Sequence, residues 1–409
     1  MDWNDSEEQA QFRKEVRAFI QQELPERYKR MARGEEDIEG EGGGWQSDRK
    51  SDNPQYRQAA EAWATALGEK RWSAPAWPKE YGGAGLSAFE QFVFNQEMAR
   101  AGAPGMGVQG TGMLGPMLIV HGSEEQKKEH LPRILSGDVV WAQGYSEPGA
   151  GSDLASLQTR ATRDGDEYVV NGQKIWTSGA HMSDWLFALV RTDPDAPKHR
   201  GISFLMMDIN TPGITVRPLI NMGWDHGFNE TFFEDVRVPV SQRVGEENRG
   251  WYVGMTLLDF ERSNISGSEG ARRAIERLRD YLATDEGKSV SRLQDLPTLR
   301  HQIADRYIEV EIQFQFSFRI ISIQGRGLVP NHEASVAKLF NSEFSQRLAN
   351  TGMKTFGLYS NLWHNEPRAP MKGAYTRSYV GSVASTIAGG SSEIQRNVIA
   401  TRGLGLPRG

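Results

Sequence analysis

Residues 144–153 read Gly-Tyr-Ser-Glu-Pro-Gly-Ala-Gly-Ser-Asp, and this stretch decides how the rest of the chain is interpreted. Its three glycines and one proline impose a tight path and bring backbone N–H groups close to a ligand. The hydroxyls of Ser146 and Ser152 can add hydrogen bonds without bulk. From the residues alone, a loop that encloses a planar or phosphorylated ligand and a simple compact turn are about equally favoured.

The hydrophobic pattern changes period around this stretch. Before it, apolar residues recur at helical spacing within residues 12–20 and 60–67. After it, no crossover helices separate the apolar runs, so an antiparallel β domain is predicted and not a dinucleotide-binding α/β unit. The helical period returns at about Trp251 and continues to Thr401. The predicted strands are 185–190, 201–209, 214–219 and 230–238.

Glycine-containing pairs mark the predicted turns. Asp164-Gly165 and Asn171-Gly172 each separate short runs of β-branched and aromatic residues, which is typical of hairpins with type I′ turns. Residues 325–330, with two glycines and a proline, predict one helix break, and Gly389-Gly390 predicts another. Ser391 and Ser392 then resemble the N-cap of a short helix over 393–400.

The order of these patterns gives the fold class. The chain has 409 residues, which is too many for one compact core, so two or three domains are expected. We predict an α+β protein in which residues 1–138 form an N-terminal helical domain. Residues 139–245 form the middle antiparallel β domain, and residues 246–409 form a C-terminal helical domain.

Composition excludes several classes of site. The chain has no cysteine, which excludes disulfides, thiolate nucleophiles and iron–sulfur clusters, and its eight histidines show no metal-binding spacing, so no metal site is expected. The net charge is −6 and no basic patch is present, which argues against a nucleic-acid partner. Residues 1–8 are acidic and the apolar runs are short. We therefore expect no targeting peptide, no membrane insertion and a cytoplasmic location.

Two further segments allow alternative interpretations. Residues 33–54 are polar and rich in glycine, which predicts a mobile surface loop or, alternatively, a flap over a substrate entrance that carries Trp45. Gly105, Gly107 and Gly110 spell G-x-G-x-x-G. The preceding residues 91–100 read as a helix, whereas a dinucleotide site requires a strand there, so we set that motif aside.

Four motifs together resemble the acyl-CoA dehydrogenase family. They occur in the family's order and cover nearly the whole chain: 146–153 (S-E-P-G-A-G-S-D), 171–178 (N-G-Q-K-I-W-T-S), 233–239 (F-E-D-V-R-V-P) and 389–396 (G-G-S-S-E-I-Q-R). The resemblance implies a middle domain that is an antiparallel β-barrel and a C-terminal four-helix bundle. It also implies FAD as cofactor, an acyl-CoA substrate and α,β-dehydrogenation to the trans-2-enoyl-CoA.

The same resemblance assigns cofactor contacts to this chain. The loop at Ser146 would bond the pyrimidine side of the flavin, and Ser152 would also lie near the CoA portion of the substrate. Ser178 would lie near N5, the flavin atom that accepts hydride. For Trp176 alone, without the motif, a position in the β-domain core is preferred. The implied FAD contacts are Tyr145, Ser146, Gly151, Ser152, Trp176, Thr177, Ser178, Gly390, Ser391 and Glu393.

The general base is expected at Glu261. Many relatives carry a glutamate where this chain has Gly389, but a second branch, which resembles isovaleryl-type dehydrogenases, places its base on the first helix of the C-terminal domain. Gly254, Leu258 and Glu261 share one helical stripe that is otherwise apolar, which would desolvate the carboxylate and raise its pKa. A structural ion pair is the alternative role. Gly389 would donate its N–H to the thioester oxygen, and Leu258 and Arg262 are expected substrate contacts.

Two departures from the family pattern concern assembly. No R-x-Q-F-G segment is recognisable in residues 281–299, and residues 354–358 read Lys-Thr-Phe-Gly-Leu in place of a glutamine and paired glycines. In the family both segments contribute to a neighbouring subunit's cofactor. We therefore expect either a homotetramer or an α2β2 heterotetramer, with an electron-transferring flavoprotein as electron acceptor. The alternative functions are an acyl-CoA oxidase, a nitroalkane-oxidase-like flavin enzyme and a non-catalytic partner subunit.

Overall fold

A computed structural model describes residues 5–35, 44–261 and 267–407, except for the side chains of 257–261. The chain divides into two compact units. Unit 1 contains Met1–Gln91 and Ala101–Glu261, and unit 2 contains Phe92–Arg100 and Arg262–Gly409. The predicted order of helices, sheet and helices is confirmed, whereas the domain boundaries after residues 138 and 245 stay a prediction.

Local sequence explains how the N-terminal helices begin. The hydroxyl of Ser6 accepts a hydrogen bond from Gln9 N, and the Gln9 side chain bonds back to Ser6 N, which caps the first helix. Its periodic apolar residues Val16, Phe19 and Ile20 are buried. The helices that begin in unit 1 up to residue 136 are α1 (Glu7–Glu23), α2 (Glu26–Arg33), α3 (Trp45–Arg49), α4 (Pro54–Glu69), α5 (Ala88–Ala101), α6 (Gly115–His121) and α7 (Glu124–Ser136).

The polar insert is partly helical. Trp45 begins α3, its side chain is only 3% exposed, and its indole Nε1 donates to Ala60 O at 2.9 Å. Because this residue packs into the helical part of unit 1, neither a purely mobile loop nor a flap that presents Trp45 describes it correctly. Residues 36–43 lie outside the described residues.

The segment with the G-x-G-x-x-G spacing follows a helix. Helix α5 ends at Ala101, immediately before Gly105 and Gly107, and Gly110 lies in a π-helical turn over Gln109–Leu114. The sequence-based decision to set aside a dinucleotide fingerprint is therefore confirmed.

A mixed, mostly antiparallel sheet follows. Strand β1 pairs in parallel with β4, and a single pair joins β2 to β4 in the same sense, while the other pairings are antiparallel. Along the main path the order is β6-β7-β3-β2-β4-β5-β8. The strands are β1 (Trp141–Gly144), β2 (Arg160–Asp164), β3 (Glu167–Lys174), β4 (Trp185–Arg191), β5 (Ile202–Asp208), β6 (Ile214–Leu219), β7 (Phe228–Pro239) and β8 (Arg243–Val244).

One of the two predicted hairpins is correct and the other is wrong. Asp164 pairs with Glu167, so the turn at Asp164-Gly165 joins β2 to β3. Asn171-Gly172 instead lies inside β3, where the pairing register with β7 shifts by one residue. The Asn171 side chain bonds to Asp235 N and to the Asp235 carboxylate, so it stabilises the irregular pairing and does not form a turn.

The last helix of unit 1 leads out of the sheet. Helix α8 (Gly250–Glu261) packs against β5, where a Cβ at Gly250 would lie 2.3 Å from Phe204 N, and a Cβ at Gly254 would lie 3.1 Å from the Tyr145 hydroxyl. These two glycines therefore allow close packing of α8 on the sheet and on Tyr145.

Unit 2 is helical and recruits part of α5. Phe92 contacts Phe318 with ring centroids 5.2 Å apart, and Arg273 donates to Ala99 O at 2.8 Å. No helix of the described residues is long and apolar enough to cross a membrane. The helices are α9 (Gly267–Ala283), α10 (Asp285–Val290), α11 (Thr298–Gln324), α12 (His332–Phe356), α13 (Ala374–Ser385) and α14 (Ser392–Val398).

Candidate active site

The glycine-rich loop 144–153 leaves the end of β1. Glu147 and Ala150 exchange two backbone hydrogen bonds of 3.0 Å, which close a tight turn around Pro148 and Gly149. A Cβ at Gly149 or Gly151 would meet nothing within 4 Å, so open space lies over this part of the loop. Gly151 and Ser152 are exposed and Ser146 is half-buried, as a ligand-binding loop requires.

Tyr145 has a different position from that expected of a ligand contact. Its ring is 7% exposed and lies edge-on to Phe187 and Phe204, with centroids 6.0 and 6.5 Å away. The side chain is thus part of the core. Any contact that Tyr145 makes with a cofactor has to use its backbone.

A second loop, 175–178, follows β3 directly. Trp176 is 54% exposed, lies edge-on to Phe228, and has a φ of +59°, a left-handed conformation that bulky residues rarely adopt. Its exposure excludes the alternative of a β-domain core residue. Residues with a strained backbone cluster at binding and active sites, and Trp224 shares this combination of a left-handed φ and an exposed ring.

Strand β7 fixes the second loop. Thr177 is fully buried, its N–H donates to Asn229 O at 3.0 Å, and the Asn229 amide donates to Thr177 O at 3.0 Å. Thr231 bonds to the Thr177 hydroxyl at 3.2 Å. Ser178, the next residue, is half-buried. The sequence motifs gave no signal for Asn229, although it holds the expected flavin contact Thr177 from both sides.

A buried ion pair connects the two loops. Lys174 Nζ, which is fully buried, lies 2.8 Å from Glu147 Oε1 and donates to Tyr145 O at 3.1 Å. Burial lowers the pKa of Lys174 to about 8. Burial also opposes the ionisation of Glu147, but the Lys174 ammonium and neighbouring N–H groups outweigh it and hold the pKa of Glu147 below its ordinary value. The 2.8 Å separation of Nζ and Oε1 is that of a direct ion pair.

Unit 2 contains the glycine turn between α13 and α14. Gly389 and Gly390 have φ values of +62° and +85°, which only glycine adopts without strain. Lys338 Nζ donates to Gly390 O at 2.6 Å and to Ser385 O at 3.1 Å, and so holds the turn. Burial lowers the pKa of Lys338. Sequence motifs did not identify this lysine, which lies some fifty residues before the turn.

The start of α14 agrees with its predicted capping. Ser391 is the N-cap, and its hydroxyl accepts from Ile394 N at 3.4 Å. The backbone N–H of the first turn, with the Ser391 hydroxyl, lowers the pKa of the exposed Glu393. The helix begins at Ser392, one residue before the predicted start.

A polar cleft of about 740 Å³ lies within unit 2 beside this helix. Its lining includes Lys354, from the segment that departs from the family pattern, and Glu393. Arg396 pairs with Glu343 at 2.6 Å across part of the lining. Lys354, one residue of the altered segment 354–358, thus faces the same cleft as Ser392 and Glu393, which follow the glycine turn.

Glu261 is the final residue of α8, and the side chains of Leu258 and Glu261 lie outside the described residues, as does all of Arg262. The nearest described buried carboxyl along the chain is Glu269 on α9, which is 4% exposed and whose pKa is raised by burial.

These residues fit a flavin. The loops 144–153 and 175–178 combine open space above glycines, accessible hydroxyls and an exposed aromatic ring. A planar ring system with polar edges can use the space and the aromatic ring for its faces and the hydroxyls for its edges. Both belong to unit 1, and the glycine turn 389–390 belongs to unit 2.

Comparison with known proteins agrees with the fold and the motifs. Models of the acyl-CoA dehydrogenase N-terminal, middle and C-terminal domains match residues 6–138, 142–236 and 248–404. The acyl-CoA dehydrogenase FadE26 of Mycobacterium tuberculosis is 37% identical over 84% of this chain and 86% of its own length.

Solved structures extend the similarity over the full chain. The Tcur3481-Tcur3483 steroid ACAD matches with a TM-score of 0.83 and 35% identity, covering 100% of both chains. The ChsE4-ChsE5 complex from Mycobacterium tuberculosis matches with a TM-score of 0.79 and 32% identity, again over 100% of both chains. The chain therefore belongs to the acyl-CoA dehydrogenase family of flavin-dependent oxidoreductases.

Proposed function

We propose that this chain uses FAD to remove two hydrogens from the α and β carbons of an acyl-CoA thioester, yielding the trans-2-enoyl-CoA. The observation that carries the proposal is Trp176, a half-exposed aromatic residue held in a left-handed conformation next to the glycine-rich loop. Residues in such a conformation cluster at binding and active sites, and Trp176 lies within the motif 171–178 that resembles the family's flavin loop. Family membership supplies the reaction type.

The residues of unit 1 would hold the cofactor. Bound FAD supplies N5 as the acceptor of the hydride that leaves the β carbon. The backbone and hydroxyl of Ser146, with Gly151 and Ser152, would bind its polar edge, while Trp176, Thr177 and Ser178 would flank the ring.

Proton removal is assigned to Glu261. The carboxylate takes the α proton while the C–H bonding pair shifts toward the thioester carbonyl, and the double bond forms as hydride leaves the β carbon. A base in an apolar stripe has a pKa raised toward neutrality, which suits this step. The N–H of Gly389 would stabilise the negative charge on the thioester oxygen, and Gly390, Ser391 and Glu393 would contact FAD.

Replacing the proposed base tests the mechanism. Glu261→Gln keeps the size of the side chain but cannot accept a proton, so anaerobic flavin reduction should slow by at least about 100-fold while flavin stays bound. Glu269→Gln is the matched control, because Glu269 is a buried carboxyl on the next helix. If Glu261→Gln bleaches the flavin at the parental rate, or if Glu269→Gln no longer bleaches it, Glu261 is not the base.

A gain-of-function variant strengthens the same test. Gly389→Glu in the Glu261→Gln background should restore part of the activity, because many relatives carry a glutamate at this position. The side chain has room, since a Cβ at position 389 meets only Lys338 Cε, at 3.8 Å. The left-handed φ of Gly389 limits the rescue.

The substrate and acceptor follow from similarity. One structural relative is named a steroid ACAD, so thioesters with steroid-derived acyl groups belong in a substrate panel beside straight and branched chains. An electron-transferring flavoprotein is the proposed acceptor. Peroxide formation under air at the rate of flavin reduction would instead identify an oxidase.

The assembly is proposed to be an α2β2 heterotetramer. The altered segment 354–358 contributes Lys354 to a cleft that also contains the ion pair Arg396–Glu343. This replacement supports a chain that no longer donates to a neighbour's cofactor. Two structural relatives have names that pair two proteins. Expressed alone, the chain should hold less than one FAD per subunit, and co-expression with a sister subunit should restore it. One tightly bound FAD per chain in a homotetramer would refute this assembly.

A further inference from the structure

The Glu147–Lys174 pair lies where both expected flavin loops leave the sheet. Lys174 ends β3 and bonds to Tyr145 O and Glu147, the residues on either side of Ser146. Ser146 O itself accepts from Ile175 N at 2.9 Å. Three successive residues of the first loop are thus bonded to the last residue of β3 and to the first residue of the second loop.

The carboxylate of Glu147 also bonds to the segment that leads from the first loop into β2. Its Oε2 accepts from Gln158 N at 2.6 Å and its Oε1 accepts from Thr159 N at 2.8 Å. With Lys174, the carboxylate therefore accepts from three donors, which join the first loop to the residues just before β2 and to the end of β3.

Stability alone does not account for a pair buried this deeply. Desolvating two charges offsets most of their attraction, and apolar side chains of similar volume often serve stability equally well. Apolar side chains, however, could not bond Tyr145 O or the N–H groups of Gln158 and Thr159. What the pair supplies beyond packing is a defined spacing between the two loops.

We propose that Glu147 and Lys174 are positioning residues that preform the flavin site by fixing the Ser146 loop against the loop 175–178. The proposal rests on the proposed function only in taking the flavin to lie against these two loops. It predicts that the loops are ordered before the cofactor binds, so that little ordering entropy opposes binding.

The double variant Glu147→Gln/Lys174→Met tests this idea without leaving a buried unpaired charge. Amide hydrogen exchange of the flavin-free protein is the first readout, with Ile175 and Thr159 as reporters because their N–H groups bond to the first loop. We expect at least about tenfold faster exchange at both amides and at least about tenfold weaker FAD binding. Glu147→Gln alone leaves the Lys174 ammonium buried without its carboxylate partner, so its exchange should be at least as fast as that of the double variant.

A buried pair elsewhere in unit 1 is the matched control. Arg27 and Asp48 are joined by bonds of 2.6 and 2.7 Å, and Asp48 is 2% exposed. Arg27→Met/Asp48→Asn should lower the unfolding temperature but leave exchange at Ile175 and Thr159 unchanged. Unchanged exchange in the Glu147/Lys174 double variant would overturn the positioning role. A parent protein that binds no FAD in any assembly would reject the proposed function, while the exchange comparison would still decide the role of the pair.

Discussion

Replacement of Lys338 by methionine should slow flavin reduction by about 10- to 100-fold. Lys338 Nζ donates to Ser385 O and Gly390 O, at the two ends of the turn that contains Gly389. Hydrogen bonds to a charged group contribute about 1.5–3 kcal/mol each, and relief of the desolvation of this half-buried ammonium offsets part of the loss. A net loss of about 1.4–2.7 kcal/mol in fixing the turn converts to that factor in rate if Gly389 N–H stabilises the charge that develops on the substrate.

The assay is anaerobic stopped-flow reduction of the bound flavin at saturating acyl-CoA, with flavin content measured in parallel. Lys288→Met is the matched control in the same unit, since Lys288 pairs with a fully exposed Asp285 at 3.3 Å, and such surface pairs contribute little. If Lys338→Met reduces the flavin at the parental rate, the turn keeps its geometry without the ammonium group. If Lys288→Met slows flavin reduction equally, the effect comes from the lost charge alone.

Two further predictions concern stability. Gly172→Ala should destabilise unit 1 by about 1–3 kcal/mol in urea unfolding, because the φ of Gly172 is +147° and a Cβ there would lie 2.7 Å from Thr159 Cα. Gly68→Ala is the control. It adds a methyl group to a helix position with open space around it and should be neutral or slightly stabilising. The pKa of Glu147 is lower in the folded chain than its unfolded value of 4.5, so its stabilising contribution is present above about pH 4.5 and is lost as the pH falls through the folded pKa. The difference in free energy of unfolding between the parent and Glu147→Gln should therefore shrink as the pH falls below about 4.5. A difference that stays constant from pH 3 to pH 6 would contradict this.

The sequence predicted elements whose signals are local, and missed interactions that depend on partners far along the chain. Helical and strand periods located α1, α4 and the strands β4 to β7 closely. Asn171-Gly172 was misassigned because the same dipeptide serves a hairpin turn or an irregular strand pairing, and only the partner Asp235 distinguishes them.

The candidate site shows the same limit. The loop motifs identify Trp176, but they do not determine whether its side chain is buried or exposed. That depends on its contact with Phe228 and on its left-handed backbone. Lys174 lies at even spacing from the buried Tyr168 and Val170, so strand alternation alone would place it inside. A charged residue is unfavourable at a buried position unless it has a partner, and strand alternation does not show that Glu147 supplies one.

The division of α5 between the two units affects the order in which the chain can fold during synthesis. The ribosome releases Phe92–Arg100 long before Arg262–Gly409, which completes the same unit. At about 5–20 residues per second, translation of the intervening part takes on the order of ten seconds or more. Over that time the nascent chain carries Phe92 without its partner ring, because Phe318 is among the residues that are synthesised later. We expect this interval to be when the chain most needs a chaperone, and expression at lower temperature to raise its yield.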